Sequence, residues 1–387
     1  MDLIIDGNAF INVAISVTKS LSTKDKRTGD AYYVNDIFND DGFILKEHVR
    51  VTFRNFCFTY LNSLIAPISS SPERVHIVFD SASWRKEYTN EFFKNSDFKT
   101  TSAPTEFKYK GTRKYDDHQY LFFDYFQNII MAPLVAKSGI NQYKFKGTEG
   151  DDIIAYLCDV LKCDILVYTV DQDIKQTTGI TDKNVLVITP KQMAKTKRLF
   201  VPSQLIPTAA SEEVDNFFSL SDNHITGATI EKTISNLINK DYVEYKVDFV
   251  DEVLSKILLG DKSDNIPKIT SVTPTKAKKV IAAIHDKFGD SVISQLDDLN
   301  EEVISNIVSE IQIVNKIKDQ DKIDEIREHL LFNIKLTRLS IKVFPNEIRE
   351  SLVEFFKSYN MTTYNSREFT NLKNNLSSLW NLYTKEY

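Results

Sequence analysis

Three short apolar runs each lead into aspartate: Leu3-Ile4-Ile5-Asp6, Ile77-Val78-Phe79-Asp80 and Tyr168-Thr169-Val170-Asp171, the last continuing to Asp173. Runs of this length and composition read as buried β-strands. In an open parallel α/β sheet, ligands bind beyond the carboxyl ends of the strands. Three such endings would therefore deliver their carboxylates to one edge. Carboxylates held close together repel, and protonation or bound cations relieve the repulsion. One aspartate after a strand is commonly a turn former; three on adjacent strands point to a metal site.

A fourth contribution comes from Glu149-Gly150-Asp151-Asp152, followed by apolar residues at helical spacing (Ile153, Ile154, Leu157, Val160, Leu161). Acids in a first helical turn cap free amides and meet the macrodipole favourably. Three acids in four residues exceed what capping needs. A fifth piece is Gly260-Asp261-Lys262-Ser263-Asp264-Asn265-Ile266-Pro267. It opens like a calcium loop but has Ile266 where that loop needs glycine and Val272 where it needs glutamate, so calcium-loop binding is rejected. The whole set is carboxylate, with no histidine or cysteine at ligand spacing. Hard oxygen donors select Mg²⁺ or Mn²⁺ over zinc.

The elements that must position these acids alternate through the first two hundred residues. Strands are expected at 3–5, 74–79, 164–170 and 185–188, with helices between them such as 46–65 and 120–136. This alternation implies an α/β fold with a parallel sheet covered on both faces. From about Pro207 long helical patterns take over (250–259, 274–285, 303–317, 345–359), which places a domain boundary near 205. The segment 207–245 is rich in Ser, Thr, Asn and Asp and is expected to be an irregular insertion.

The chain has 387 residues, 48 basic and 54 acidic, for a formal charge of −6. No apolar run approaches a membrane span. The start of the chain lacks a basic leader, and three cysteines make no disulfide framework, so a cytoplasmic location is expected, in a host cell if the chain is phage-encoded. Neither a GxGxxG nor a GxxxxGK[ST] motif occurs. Net acidity argues against a nucleic-acid partner, but distribution reverses that. Removing the nine candidate acids (Asp6, Asp80, Glu149, Asp151, Asp152, Asp171, Asp173, Asp261, Asp264) leaves 45 acidic against 48 basic residues.

The segments IIDGNAF, VFDSASWRKEY, YKGTRK, GTEGDDIIAYL, YTVDQDIKQ and LLGDKSDNIP occur in the order found in the flap endonuclease / 5′-3′ exonuclease family, which the chain resembles over residues 3–267. Its phage RNase H-type members, which remove RNA primers, are the nearest likeness. The resemblance implies a PIN-like (resolvase-like) nuclease core over 1–205 and a helical helix-hairpin-helix DNA-binding domain over 206–387. It implies two Mg²⁺ ions, with Mn²⁺ as substitute. Asp6, Asp80, Glu149 and Asp151 match one metal group. Asp171, Asp173 and Asp261 match the other, with Asp152 and Asp264 alongside. Two cations could activate water and stabilise both oxygens of a displaced phosphodiester.

The family also places a helical arch at about 84–118. Between 84 and 114 the chain carries eight basic residues, including Arg85, Lys86, Lys110, Arg113 and Lys114, against four acids, interleaved with aromatics. Cations with aromatics suit a single strand. Lys110 and Arg113 match the family's catalytic cations, which would stabilise charge on the scissile phosphate. Tyr109 would stack on the terminal base. Lys19, Lys24, Lys26 and Arg27 form a weaker basic cluster. After Pro267 the family's glycine-rich hairpin reads Lys268, Ser271 and Thr273 here, so the K⁺ that this hairpin often carries loses its glycine cradle. Lys268, Lys276, Lys278 and Lys279 would hold the duplex backbone.

The implied partners are branched or nicked duplex DNA, 5′ flaps and RNA–DNA hybrids, with a single-strand-binding protein or clamp as protein partner and no membrane. The activity implied is Mg²⁺-dependent 5′-3′ exonuclease and flap endonuclease cleavage. A PIN-domain ribonuclease acting on RNA and a non-catalytic DNA-structure-binding homologue are the alternatives. A phosphatase of the haloacid dehalogenase type is excluded because Asp6-Gly7-Asn8 lacks the second aspartate.

Overall fold

The computed structural model describes residues 1–20, 23–24, 31–32, 37–38, 45–95, 109–110, 118–180, 182–189, 197–202, 204–206 and 230–375. Among these, β1 (Asp2–Asp6), β4 (Val75–Phe79), β5 (Asn141–Lys144), β6 (Ile165–Tyr168), β7 (Val185–Thr189), β8 (Lys197–Pro202) and β9 (Tyr242–Val247) form one sheet. A separate two-residue ribbon pairs β2 (Thr23–Lys24) with β3 (Ala31–Tyr32). The strand order in the main sheet is β5-β4-β1-β6-β7-β8-β9. The first five are mutually parallel, β8 is antiparallel to β7, and β9 is parallel to β8. The expected α/β class with a mainly parallel sheet is therefore what the chain adopts.

Strands β1, β4, β6 and β7 are buried along their whole length, as expected of Val/Ile-rich strands covered on both faces. Their period of two divides them cleanly. Leu3, Ile5, Ile77, Phe79, Leu166, Tyr168, Leu186 and Ile188 join the core on one face. Ile4, Val78, Ile165, Val167, Val185 and Val187 join the other. Helices Gly7–Ser20, Glu47–Ile65 and the run 120–138 contribute to the first core; Gly150–Val160 and the helices from Phe249 to Ser358 contribute to the second. The final helix, Ser366–Asn374, returns to the first face through Phe369 and Leu372.

The sheet runs past the boundary expected near 205. Residues 230–245 of the segment expected to be an irregular insertion hold helix Ile230–Ile238 and the first four residues of β9. The remainder of that segment, 207–229, lies outside the described residues. β9 is an edge strand with four consecutive exposed residues, and β5 is a short polar edge strand. Neither has the buried apolar run that announces a central strand. The helices read from the sequence stand at Phe249–Leu259, Pro274–Phe288, Glu301–Asn315 and Asn346–Ser358; Gln320–Thr337 is an additional one.

The base of the expected arch is helix Trp84–Asn95. Its aromatics are committed inward: Phe92 and Phe93 meet Phe332 at ring separations of 4.5 and 5.5 Å, and Tyr88 stacks on the same ring at 6.0 Å. These rings pack on the helix Gln320–Thr337. No helix among the described residues is long and apolar enough to cross a membrane.

Candidate active site

The parallel topology brings the strand ends together. Asp6 closes β1, Asp80 follows β4 on one side, and Asp171 follows β6 on the other. Helix Gly150–Val160 adds Asp151 from its first turn. Donors fix each carboxylate. Asp6 accepts from the Ala9 amide at 2.9 Å and from Thr169 Oγ1 at 2.8 Å. Asp80 accepts from Asn8 Nδ2 and from the Gly150 amide, each at 2.6 Å. A Cβ at Gly150 would stand only 2.9 Å from the same Asp80 oxygen, so glycine here allows the helix to approach the strand end. Asp171 accepts from the Asp173 amide at 2.8 Å.

The electrostatics show the crowding. Burial and the Asp80 and Asp171 carboxylates push the Asp6 carboxyl up to about 7, against the Ala9 and Thr169 hydrogen bonds. Burial and the charges of Asp171, Asp6 and Asp80 hold Asp151 well above its ordinary range. These four acids line a cleft of about 750 Å³ together with Asn8, Lys110, Tyr120, Phe123, Gln127 and Lys144.

The other five expected ligands are already engaged by cations of the chain. Glu149 Oε1 meets Lys110 Nζ at 2.5 Å and Glu149 Oε2 accepts from Tyr109 at 3.0 Å. Burial opposes its ionisation, but Lys110 and Arg85 outweigh that and lower its pKa. Asp264 stands 3.9 Å from Lys110 Nζ and accepts from Tyr109 at 3.3 Å. Asp173 and Asp261 share Lys256, whose Nζ lies 2.7 Å from Asp261 Oδ2 and in direct contact with Asp173 Oδ2. Burial and Asp171 still push Asp173 up to about 6. Asp261 falls to about 2, because hydrogen bonds from Lys256 and Ser263 exceed the cost of its burial.

Asp152, expected alongside the metal ligands, pairs with Arg85. Its side chain is fully enclosed, with Oδ1 2.8 Å and Oδ2 2.9 Å from the Arg85 guanidinium, and Oδ2 accepts from the Glu149 amide at 3.1 Å. It anchors the helix start. Arg85, expected among the nucleic-acid contacts, is 1% exposed and also donates to the Leu336 and Arg338 carbonyls. Tyr109, expected to stack on a terminal base, is 5% exposed and donates to Glu149 and Asp264.

Arg113 and Lys114 lie outside the described residues, as do Lys26 and Arg27. Lys86, Lys268, Lys278 and Lys279 are exposed, whereas Lys276 binds Asn315 Oδ1 at 2.7 Å and the Ser271 carbonyl at 3.3 Å. The loop to helix Pro274–Phe288 opens at Gly260 (φ +67°), where a Cβ would meet the Ile266 carbonyl at 2.4 Å. It closes through paired backbone hydrogen bonds between Asp261 and Ile266. Sequence reasoning missed Asn8, Thr169 and Lys256. The first two have common polar side chains, and Lys256 becomes significant only once its helix turns it toward Asp173.

No family model and no curated protein matches this chain. Solved structures of similar arrangement include three of bacteriophage T5 proteins. One is a protein co-crystallised with metal ions (14% identity, TM-score 0.40, covering 92% of this chain and 97% of that one). Another is a flap endonuclease variant in a pseudo-enzyme–product complex with DNA and metal ions (11%, 0.42, 92% and 97%). A third is a 5′-exonuclease variant (13%, 0.42, 92% and 96%). The chemistry of the present site rests on its own geometry.

Whether the acids suit a divalent cation is answered by their donor set and charge. The donors are all hard oxygens, and Asp6 and Asp151 are held against their own ionisation by neighbours of like charge. Among the described residues, no three of the acids yet form a closed ligand set. The four cleft acids fit a divalent ion by chemistry, while Lys256 already serves as counterion at Asp173 and Asp261.

A pH dependence follows. Asp6, Asp151 and Asp173 ionise later in the folded chain than near 3.8, where they ionise when unfolded. Their contribution to stability is complete below pH 3.8 and is lost as pH rises through about 6 and 7. Asp2, Glu149 and Asp261 act with opposite sign, and their contribution is lost as pH falls below their unfolded values. The melting temperature of EDTA-treated protein should therefore fall by several degrees between about pH 5 and pH 7.5. Millimolar Mg²⁺ should restore much of it at pH 7.5. Calorimetric scans checking both would count against the crowded site if the melting temperature were flat with pH and unmoved by Mg²⁺.

Proposed function

We propose that this chain is a Mg²⁺-dependent, structure-specific 5′ nuclease of the flap endonuclease / 5′-3′ exonuclease family, with Mn²⁺ able to substitute. It hydrolyses phosphodiester bonds in 5′ flaps, nicked duplex and RNA–DNA hybrids, including RNA primers. The observation that carries the reading is the convergence of Asp6, Asp80, Asp151 and Asp171 at one sheet edge, in a cleft shared with Lys110. In this reading Asp6, Asp80, Asp151 and Asp171 hold the first cation. Asp173 and Asp261 serve a second, for which Lys256 is the competing counterion. Bound divalent ions would supply an activated water and offset phosphate charge.

The chain's own groups do the rest. Lys110, positioned by Glu149 and Asp264, presents a cation to the non-bridging oxygens of the reacting phosphate. Burial opposes its charge, but those acids outweigh burial and keep it protonated. Asn8 and the Gly150 amide hold Asp80, and Thr169 and the Ala9 amide hold Asp6, so the ligand carboxylates keep their orientation. Arg113 is proposed as a second phosphate cation. Lys86, Lys268, Lys278 and Lys279 supply exposed charge for a duplex backbone, which fixes position without reading sequence.

A panel of 5′-labelled flap, nicked duplex, RNA–DNA hybrid and single-stranded RNA tests the reading. Short 5′ products from the branched and hybrid substrates in Mg²⁺, and none in EDTA, are expected. Cleavage confined to single-stranded RNA would favour a PIN-type ribonuclease. Binding of branched DNA without cleavage would favour a non-catalytic homologue.

A further inference from the structure

The two acids assigned to the second cation come from separate segments. Asp173 opens the 3₁₀ helix Asp173–Gly179, and Asp261 stands in the loop that leaves helix Phe249–Leu259 and ends at Pro267. One turn of a third element touches both segments. Gln176, in the 3₁₀ helix, donates from Nε2 to the Thr337 carbonyl at 2.9 Å. Asn333, one turn earlier on helix Gln320–Thr337, donates from Nδ2 to the Ile257 carbonyl at 2.8 Å and to the Pro267 carbonyl at 2.9 Å. These two carbonyls lie on either side of the Asp261 loop. Thr337 Oγ1 donates to the Asn333 carbonyl at 2.7 Å and ties the turn together. The same turn reaches the first acid group as well, because Arg85 donates to the Leu336 carbonyl while holding Asp152 and Glu149.

We propose that the last turn of helix Gln320–Thr337 is the mount that sets the spacing of Asp173 and Asp261, with Gln176 and Asn333 as its positioning residues. The inference rests on the nuclease reading and adds residues that act on the second cation through its ligands. Helix ends leave carbonyls without intrahelical partners. Here the Leu336 and Thr337 carbonyls are taken by Arg85 and Gln176, and the Ile257 carbonyl, in the last turn of its own helix, by Asn333. Gln176 and Asn333 are 8% and 0% exposed. A buried amide costs stability unless its hydrogen bonds are made, whereas an apolar side chain of similar size would pack without that cost. Gln176 is held at both ends, since Arg338 Nη1 donates to its Oε1 at 2.5 Å. Arg338 is itself gripped by both Asp297 oxygens, at 2.6 and 2.9 Å. Asn333 Oδ1 has no partner among the described residues, so this position keeps its amide for what the nitrogen holds. Polar groups that fix ligand orientation typically carry about 10- to 100-fold in metal affinity or activity.

The test uses the full chain. Mn²⁺ binding is followed by the loss of free-ion paramagnetic resonance, with single-turnover flap cleavage and flap affinity in EDTA alongside. Gln176→Met fills the same space without either hydrogen bond. It should weaken the weaker of two Mn²⁺ sites by about 10- to 100-fold, raise the Mn²⁺ concentration for half-maximal cleavage to match, and leave flap affinity within about threefold. Val49→Ala, a cavity on the opposite face of the sheet, is the stability control. It should lower the melting temperature and leave the Mn²⁺ readings unchanged. Gln176→Asn, which keeps the amide but shortens its reach, takes the same readings if Gln176→Met does not fold, and should shift them in the same direction. A Gln176 variant that binds Mn²⁺ and cleaves like wild type would overturn this inference alone, as would parallel losses in Val49→Ala or a wild type that cleaves with a single Mn²⁺ site. A wild type that binds no Mn²⁺ and cleaves none of the substrates would overturn the nuclease reading and this inference with it.

Discussion

Asp171→Asn should slow phosphodiester cleavage by about a thousandfold or more, while branched-DNA affinity changes little. Removing one preorganised charge-stabilising group from an active site typically costs about a hundred- to a thousandfold. Asp171 in addition neighbours Asp6, Asp151 and Asp173 electrostatically. The amide keeps an oxygen to accept from the Asp173 backbone N–H, so local structure is preserved. The same substitution removes repulsion from three neighbouring acids, so the EDTA-treated variant should melt higher than wild type at neutral pH. An active site that loses rate while the protein gains stability is what a cation site without its cation predicts. Full Mg²⁺-dependent cleavage by Asp171→Asn in a gel assay would remove Asp171 from the machinery.

Lys110→Ala should lower kcat by about a hundredfold or more, with duplex affinity changed by less than about threefold. Lys110 Nζ sits between Glu149 and Asp264 and lines the cleft with Asp6, Asp80, Asp151 and Asp171. Its backbone is fixed as well: φ is +54°, and its N–H donates to the Asp264 carbonyl at 3.1 Å. The loss would therefore be of a positioned charge, not of a loose surface lysine. Parallel losses in affinity and rate, measured by single-turnover kinetics, would make Lys110 a gripping residue instead.

The acids that converge at the sheet edge were legible because strand ends are legible. An apolar run of β-branched residues followed by aspartate specifies both the element and the edge where its carboxylate emerges, as at Asp6, Asp80 and Asp171. The helix carrying Asp151 was equally legible from its 3.6-residue period. What the sequence left open is how the charges pair. Arg85 and Asp152 look like a surface cation and a ligand until packing encloses them together. Lys256 sits on an amphipathic helix whose pattern gives no hint that its ammonium bridges Asp173 and Asp261. Tyr109 and Tyr120 are eleven positions apart with similar neighbours, yet one is buried in the site and the other open to the cleft. Edge strands β5 and β9 escaped because half-exposed polar strands carry little periodic signal.

Counting bound ions tests the central claim most directly. Mn²⁺ titrated into EDTA-stripped, desalted protein and followed by the loss of free-ion paramagnetic resonance should show at least one saturable site in wild type at neutral pH, weakened at least tenfold in Asp171→Asn. A wild type that binds no Mn²⁺ at millimolar concentration, or an Asp171→Asn variant that binds it equally well, would contradict a divalent-cation centre at this sheet edge.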